Sequence, residues 1–212
     1  MGRLIQAEEE ALGAKYKIFL WERVLMMIDE ILTYNQAFVA RGDFEQYRTS
    51  KYPNKKLAIV TCMDTRLIEL LPAALGIKNG DAKIIKNAGG VISHPFGSAV
   101  RSLLIAIYEL GVTDIMVIGH TDCGVQHMDC EKMLCDMRRR GVSGKSVDMI
   151  RYFGVDLESW LAGFDDVAEA VHRSVELLRS HPLIPADVRL YGYIMDSVTG
   201  ELTGVEIPGS KE

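Results

Sequence analysis

Two short stretches of the chain carry side chains that together could hold a metal ion. One is Cys62-Met63-Asp64-Thr65-Arg66, and the other is His120-Thr121-Asp122-Cys123-Gly124. Thiolate sulfur and imidazole nitrogen are borderline-soft donors that suit Zn²⁺. The spacing is not that of a zinc finger, which draws four ligands from two close pairs. Cys62, His120 and Cys123 supply three ligands, which leaves a fourth position open, as in catalytic rather than structural zinc sites. The contrary reading is a buried cysteine, a capping aspartate and an exposed arginine that never meet. Spacing alone leaves both readings open, because the two stretches are far apart in sequence and must be brought together by the fold.

The elements around them can do that. Residues 57–62 are a continuous apolar run with a β-branched centre, and 114–119 is another. Such runs suit strands covered on both faces, as in parallel sheets. Each ends where a candidate ligand begins. Strands are also predicted over 82–86 and 188–195. The turn Thr199-Gly200 leads from the last of these into a short antiparallel return over 202–207. Helical spacing predicts helices over 67–75 (interrupted by Pro72), 98–110 (Ser98 as N-cap, Gly111 just past the end), 123–140 (closed by Gly141) and 165–180. Asn87-Ala88-Gly89-Gly90 is a glycine-containing loop. The N-terminal part reads as a helix over 16–40, with a possible short helix before Gly13. The order β, α, β, α, β, α, β predicts an α/β fold: a mostly parallel central sheet flanked by helices, with an N-terminal helical extension and an antiparallel C-terminal edge. In open sheets of this kind, ligands sit beyond the carboxyl ends of the strands.

Composition excludes several classes. The chain has 212 residues, 48% hydrophobic and 25% charged, with a net charge of −5. That is ordinary for a globular protein and argues against disorder, fibres and a general nucleic-acid binder. The one basic run, Arg138-Arg139-Arg140 near Lys145, reads as a solvated helix end or as an anion or partner site. No apolar run reaches the length of a transmembrane helix, and residues 1–10 contain three consecutive glutamates where a signal peptide needs an apolar stretch. The expectation is a cytoplasmic protein with no membrane and no nucleic-acid partner, in which disulfides are disfavoured and cysteines are freed for metal binding or catalysis.

Taken together, the C-x-D-x-R stretch at Cys62 and the H-x-x-C stretch at His120 closely resemble the motifs of the beta-class carbonic anhydrases, in particular their compact prokaryotic-type branch. The resemblance extends to residues 85–90, to the helix containing Arg101–Leu110 and to the strand before His120, and roughly residues 15–205 can be placed on the family pattern. It implies one domain over 1–212, with an N-terminal helical arm (1–45) and a zinc-binding core (55–205). It implies one Zn²⁺ per subunit, held by Cys62, His120 and Cys123. It implies a lyase that hydrates carbon dioxide reversibly to bicarbonate and a proton, by attack of zinc-bound hydroxide. Asp64 would accept a hydrogen bond from the bound water, and Arg66 would hold Asp64 off the metal. Gly124, through its backbone N–H, and Gly89, by letting its loop approach, would position the substrate. For Gly89 and Gly90 a simple turn after a strand explains the residues equally well. The family knows both an open site, with the Asp–Arg pair formed, and a closed one, with the aspartate on the zinc. A homodimer or homotetramer is also implied. A carbon disulfide or carbonyl sulfide hydrolase is the rival enzyme on the same motifs; a non-catalytic bicarbonate- or zinc-binding regulator is the rival of another class.

Two departures stand out. Lys86 occupies the position of an arginine found in members with a regulatory bicarbonate pocket, and lysine lacks the planar fork. The stretch Lys51-Tyr52-Pro53-Asn54 lacks the glutamine that plant-type members use on substrate. His94 reads as a surface-loop histidine or a proton relay. His127 is expected on the helix that follows Cys123. Cys130 and Cys135, among Met128, Met133 and Met137, read as packing or partner surface rather than a second metal site.

Overall fold

The computed structural model describes residues 26–206. They fall into two units that divide between Arg48 and Thr49. In the first, helix α1 covers 26–41 and ends at Gly42, whose φ of 72° takes it into the left-handed region, followed by a 3-10 turn over Asp43–Tyr47. This agrees with the expected helix where it is described. Residues 16–25 and the short helix before Gly13 lie outside the described residues.

The second unit is built on a five-stranded sheet. Its strands are β1 (Leu57–Cys62), β2 (Ala82–Asn87), β3 (Asp114–His120), β4 (Arg189–Met195) and β5 (Leu202–Gly204), in the order β2-β1-β3-β4-β5. The first four are parallel and β5 pairs antiparallel with β4, as expected. The helices are α2 (Leu70–Ala74), α3 (Ser98–Tyr108), α4 (Cys130–Arg139), α5 (Gly144–Tyr152), α6 (Leu157–Leu161) and α7 (Val167–Arg179). Ala58, Val60, Ile115 and Val117 pack with Val100 and Leu103 of α3 and Val171, Val175 and Leu178 of α7. A second cluster joins Ile59 and Ile118 to Leu67 and Leu71, and it also contains Cys62 and Cys123. Ile59, Leu67, Leu71 and Ile118 are fully buried. Each contributes on the order of 1.5–3 kcal/mol by leaving water.

Several expected boundaries are corrected. The helix expected over 123–140 begins only at Cys130. His127, inside that span, takes a left-handed conformation that no helix accommodates, and the Asp129 side chain caps α4 by accepting from the Lys132 N–H. His127 therefore sits in a loop, not on a helix face. Gly97 rather than Ser98 is the N-cap of α3. The element expected over 67–75 divides into a 3-10 turn, Thr65–Leu67, and α2; starting at Leu70 puts Pro72 in the first turn, where a missing N–H costs nothing. Helices α5 and α6 were not anticipated, although both carry serine or aspartate caps, Ser143 and Asp156.

One glycine links this packing to the residues of interest. A Cβ on Gly119 would lie 2.7 Å from Val167 Cγ2 and 2.9 Å from Val171 Cγ2, so α7 lies directly on the strand residue before His120. Gly119→Ala is expected to destabilise the protein by about 1–3 kcal/mol through overpacking. Urea unfolding should show a lower midpoint at unchanged slope; an unchanged midpoint would refute the close packing.

Candidate metal centre

Parallel pairing sets the site. β1 lies between β2 and β3, with Thr61 level with Ile118 and Cys62 level with Asn87. Cys62 and His120 therefore emerge at the same carboxyl edge of the sheet, and the loop after β3 folds Cys123 back beside them. The three ligand atoms lie within 4.8 Å of one another, and all three residues are buried. The two sulfurs are 3.9 Å apart. Two sulfurs each about 2.3 Å from a tetrahedral ion stand about 3.8 Å apart, whereas a disulfide would need about 2.05 Å. The geometry fits a shared metal rather than a covalent bridge.

His120 supports the same conclusion. Its Nδ1 donates to the Thr121 carbonyl oxygen at 2.9 Å, while its buried Nε2 has no hydrogen-bond partner. A buried polar nitrogen left unpaired is costly. Here its lone pair faces the two sulfurs, and the Nδ1 bond fixes the tautomer that leaves Nε2 free to ligate. The donor set, two thiols and one imidazole, is one that zinc accepts.

The glycine loop makes the approach possible. Gly90 has a φ of 66°, and a Cβ on it would lie 2.7 Å from the Cys62 backbone nitrogen and 2.9 Å from the Thr61 carbonyl carbon. Those atoms belong to β1, an interior strand of the sheet, and cannot retreat. Gly89 also has positive φ, but a side chain there would meet the Phe164 ring at 2.9 Å. Of the two, Gly90 is the residue pressed against a ligand's backbone. Gly124 is different: a Cβ on it would meet nothing within 4 Å, so packing does not require glycine there.

Beside the ligands, Arg66 and Asp64 form a bidentate pair: Nε donates to Oδ1 at 3.0 Å and Nη2 to Oδ2 at 2.8 Å. The Arg66 backbone N–H also donates to Asp64 Oδ1. The Asp64 side chain is 16% exposed, and its Oδ2 lies 3.9 Å from His120 Nε2. The hydrogen bonds from the Arg66 side chain lower the Asp64 carboxyl pKa to about 2. Arg66 also reaches the second stretch: Nη1 donates to Asp122 Oδ2 and Nη2 to the Asp122 carbonyl oxygen, both at 2.8 Å. Burial pushes the Cys123 thiol pKa up, and the neighbouring Cys62 adds to the rise. A bound cation works in the opposite sense, since coordination deprotonates thiols.

Lys86 is tied into the scaffold. Its ammonium donates to the carbonyl oxygens of Cys62 and Leu67, each at 3.3 Å, so it joins the two ends of the loop that carries Asp64 and Arg66. Desolvation lowers its pKa.

The fold thus brings together Cys62, Asp64, Arg66, His120 and Cys123. It leaves the other candidates elsewhere. His94 Nδ1 accepts from the Phe96 N–H in its own loop, and His127 Nδ1 lies 3.2 Å from the exposed Asp165. Among the described residues, Cys130 and Cys135 join no metal-ligating cluster. The sequence reading missed the parts of Asp122, the Thr121 carbonyl and Lys86. A signal for Asp122 was present: a guanidinium has five N–H donors and one carboxylate occupies two of them, so a second acceptor was to be expected.

A profile of the carbonic anhydrase family matches residues 57–202. YvdA of Bacillus subtilis (strain 168), provisionally named a carbonic anhydrase, is 47% identical over 178 residues, covering 84% of this chain and 90% of YvdA. The crystal structure of beta-carbonic anhydrase isoform I from Trichomonas vaginalis matches with a TM-score of 0.77 at 35% identity, covering 84% of this chain and 96% of that one. The carbon disulfide hydrolase of Acidianus sp. (strain A1-3) is 32% identical over 173 residues, covering 76% of this chain and 82% of that protein.

The Asp64–Arg66 contact has a measurable signature. A carboxyl whose pKa is lowered on folding contributes stability that is fully present above its unfolded value, 3.8, and is lost as pH falls through its folded value of about 2. In Arg66→Ala the Asp64 carboxyl should titrate well above 2, and its contribution to acid stability should shrink. A carbon-13 NMR titration of Asp64 in both proteins checks this. Coincident curves would contradict the assigned hydrogen bonds.

Proposed function

The chain belongs to the beta-class carbonic anhydrases, and from that membership we propose that it catalyses the reversible hydration of carbon dioxide to bicarbonate and a proton at a zinc ion held by Cys62, His120 and Cys123. The observation that carries the reading is the convergence of those three ligand atoms within 4.8 Å, with the Asp64–Arg66 pair at their edge. Zinc, when bound, acidifies a water in its open position and so supplies a nucleophile near neutral pH.

The chain's own groups supply the rest. His120 is held in the ligating tautomer by the Thr121 carbonyl. Asp64 stays ionised throughout the physiological range, so it is always ready to accept a hydrogen bond from solvent beside the ligands and to orient it. Arg66 occupies both Asp64 oxygens, which turns the carboxylate away from the metal position and keeps the site open. The Gly124 backbone N–H and Gly89 in its loop are the substrate-positioning groups of this reading. Burial of both cysteines keeps bulk water from competing for the sulfurs.

Assembly as a homodimer or homotetramer and a cytoplasmic location are part of the same reading. Helix α1 exposes Met26, Met27, Ile31, Leu32 and Val39, an apolar load suited to a subunit contact. No helix among the described residues is long and apolar enough to cross a membrane.

Purified protein is expected to hold one zinc per chain, and Cys62→Ser to lose both the metal and the activity. Asp64→Ala should keep the zinc and lose on the order of 10–100-fold in kcat, the effect typical of a group that hydrogen-bonds around a metal site. Metal analysis and stopped-flow hydration assays measure these; activity surviving the loss of Cys62 would end the proposal. Turnover of carbon disulfide should be negligible beside that of carbon dioxide, and the reverse preference would reassign the substrate. Sedimentation should give an even oligomer, with a fully active monomer as the contradicting result.

A further inference from the structure

Asp122 lies between two metal-ligand candidates at a position the H-x-x-C motif leaves unspecified, yet it makes two contacts with Arg66. Its backbone has a φ of 53°. That left-handed conformation is disfavoured for a residue with a side chain, though aspartate and asparagine accept it better than most. The conformation accompanies a specific arrangement: the Asp122 carbonyl oxygen takes one Arg66 Nη2 hydrogen, and its carboxylate takes one from Nη1, both at 2.8 Å. With the two bonds to Asp64, four of the five guanidinium N–H groups are engaged. The plane of Arg66 is therefore fixed from both sides. The Asp122 side chain is 86% exposed, so packing does not hold it there. Both Asp64 and Asp122 raise the Arg66 pKa, so the guanidinium is shared between two carboxylates.

We propose that Asp122 is a positioning residue: through Arg66 it keeps Asp64 turned away from the metal position, and so governs whether solvent or a carboxylate occupies the open coordination corner. It also ties the stretch that bears Cys62 to the stretch that bears His120 and Cys123. The proposal rests on the zinc-site reading, and its test includes a measurement independent of any reaction.

Asp122→Gly removes the carboxylate while easing the left-handed backbone. Asp122→Asn keeps the backbone preference and an oxygen acceptor for Nη1. Three measurements separate the outcomes. In the metal-free protein, Arg66 Nε–H exchange followed by nitrogen-15 NMR should accelerate at least tenfold in Asp122→Gly and stay near the parent rate in Asp122→Asn. In the cobalt(II)-loaded protein, the visible spectrum of Asp122→Gly should move toward that of a carboxylate-ligated ion, with Asp122→Asn again near the parent. In the zinc enzyme, Asp122→Gly should lower kcat about tenfold with little change in KM. On an Arg66→Ala background, Asp122→Gly should add nothing to the cobalt spectrum or to kcat. Parent-like exchange and spectrum in Asp122→Gly would overturn the proposal, as would an undiminished effect without Arg66. If the exchange behaves as expected but no carbon dioxide is hydrated by any variant, the positioning stands and the assigned reaction falls.

Discussion

The parallel pairing of β1 with β3 is the constraint on which the site depends. Cys62 and His120 are far apart in the chain, and only side-by-side strands of matched register deliver them to one edge of the sheet. With Thr61 opposite Ile118, His120 stands one residue beyond the level of Cys62 at that edge, and the short loop after β3 returns Cys123 beside them. A slip of one residue would turn the side chains of one strand to the opposite face. The buried pattern of β1, where Ala58 to Cys62 are all inaccessible, opposes such a slip because each face packs against its own cluster.

Around that anchor the polar groups form a chain with few unmatched members. The Thr121 carbonyl orients His120, Arg66 orients Asp64, Asp122 orients Arg66, and Lys86 closes the loop from which Asp64 and Arg66 project. Each link suits the chemistry of its residue. A lysine at position 66 could not grip two carboxylates in a plane, because its ammonium has no fork. At position 86 two carbonyl oxygens need only a compact donor, and a lysine serves. The buried His120 Nε2 stands apart as an unmatched atom facing the thiols, in a network that is otherwise nearly satisfied.

Much of this was legible in the sequence. The apolar runs at 57–62 and 114–119 marked the central strands, and the ligand types at their ends marked the site. The order of elements implied the parallel sheet. What was not legible has a common physical cause. The loop from Cys123 to Asp129 reads as helical by composition, yet the left-handed residues Asp122 and His127 are imposed by contacts with Arg66 and the Phe164 backbone, which are distant in sequence. Helices α5 and α6 are short, and most of their side chains are exposed, so periodicity barely registers them; only their capping residues were visible. Gly89 and Gly90 are indistinguishable on paper. It is the position of the Cys62 backbone that separates them.

That last distinction bears on how the site could be remodelled. Position 90 is closed to every side chain, since its neighbours are main-chain atoms of β1 and β3, and a library built there would mainly yield misfolded proteins. Position 124, the neighbour of Cys123, is exposed and borders open space. New side chains meant to alter the surroundings of the ligands are best introduced at position 124, leaving the metal's cradle untouched.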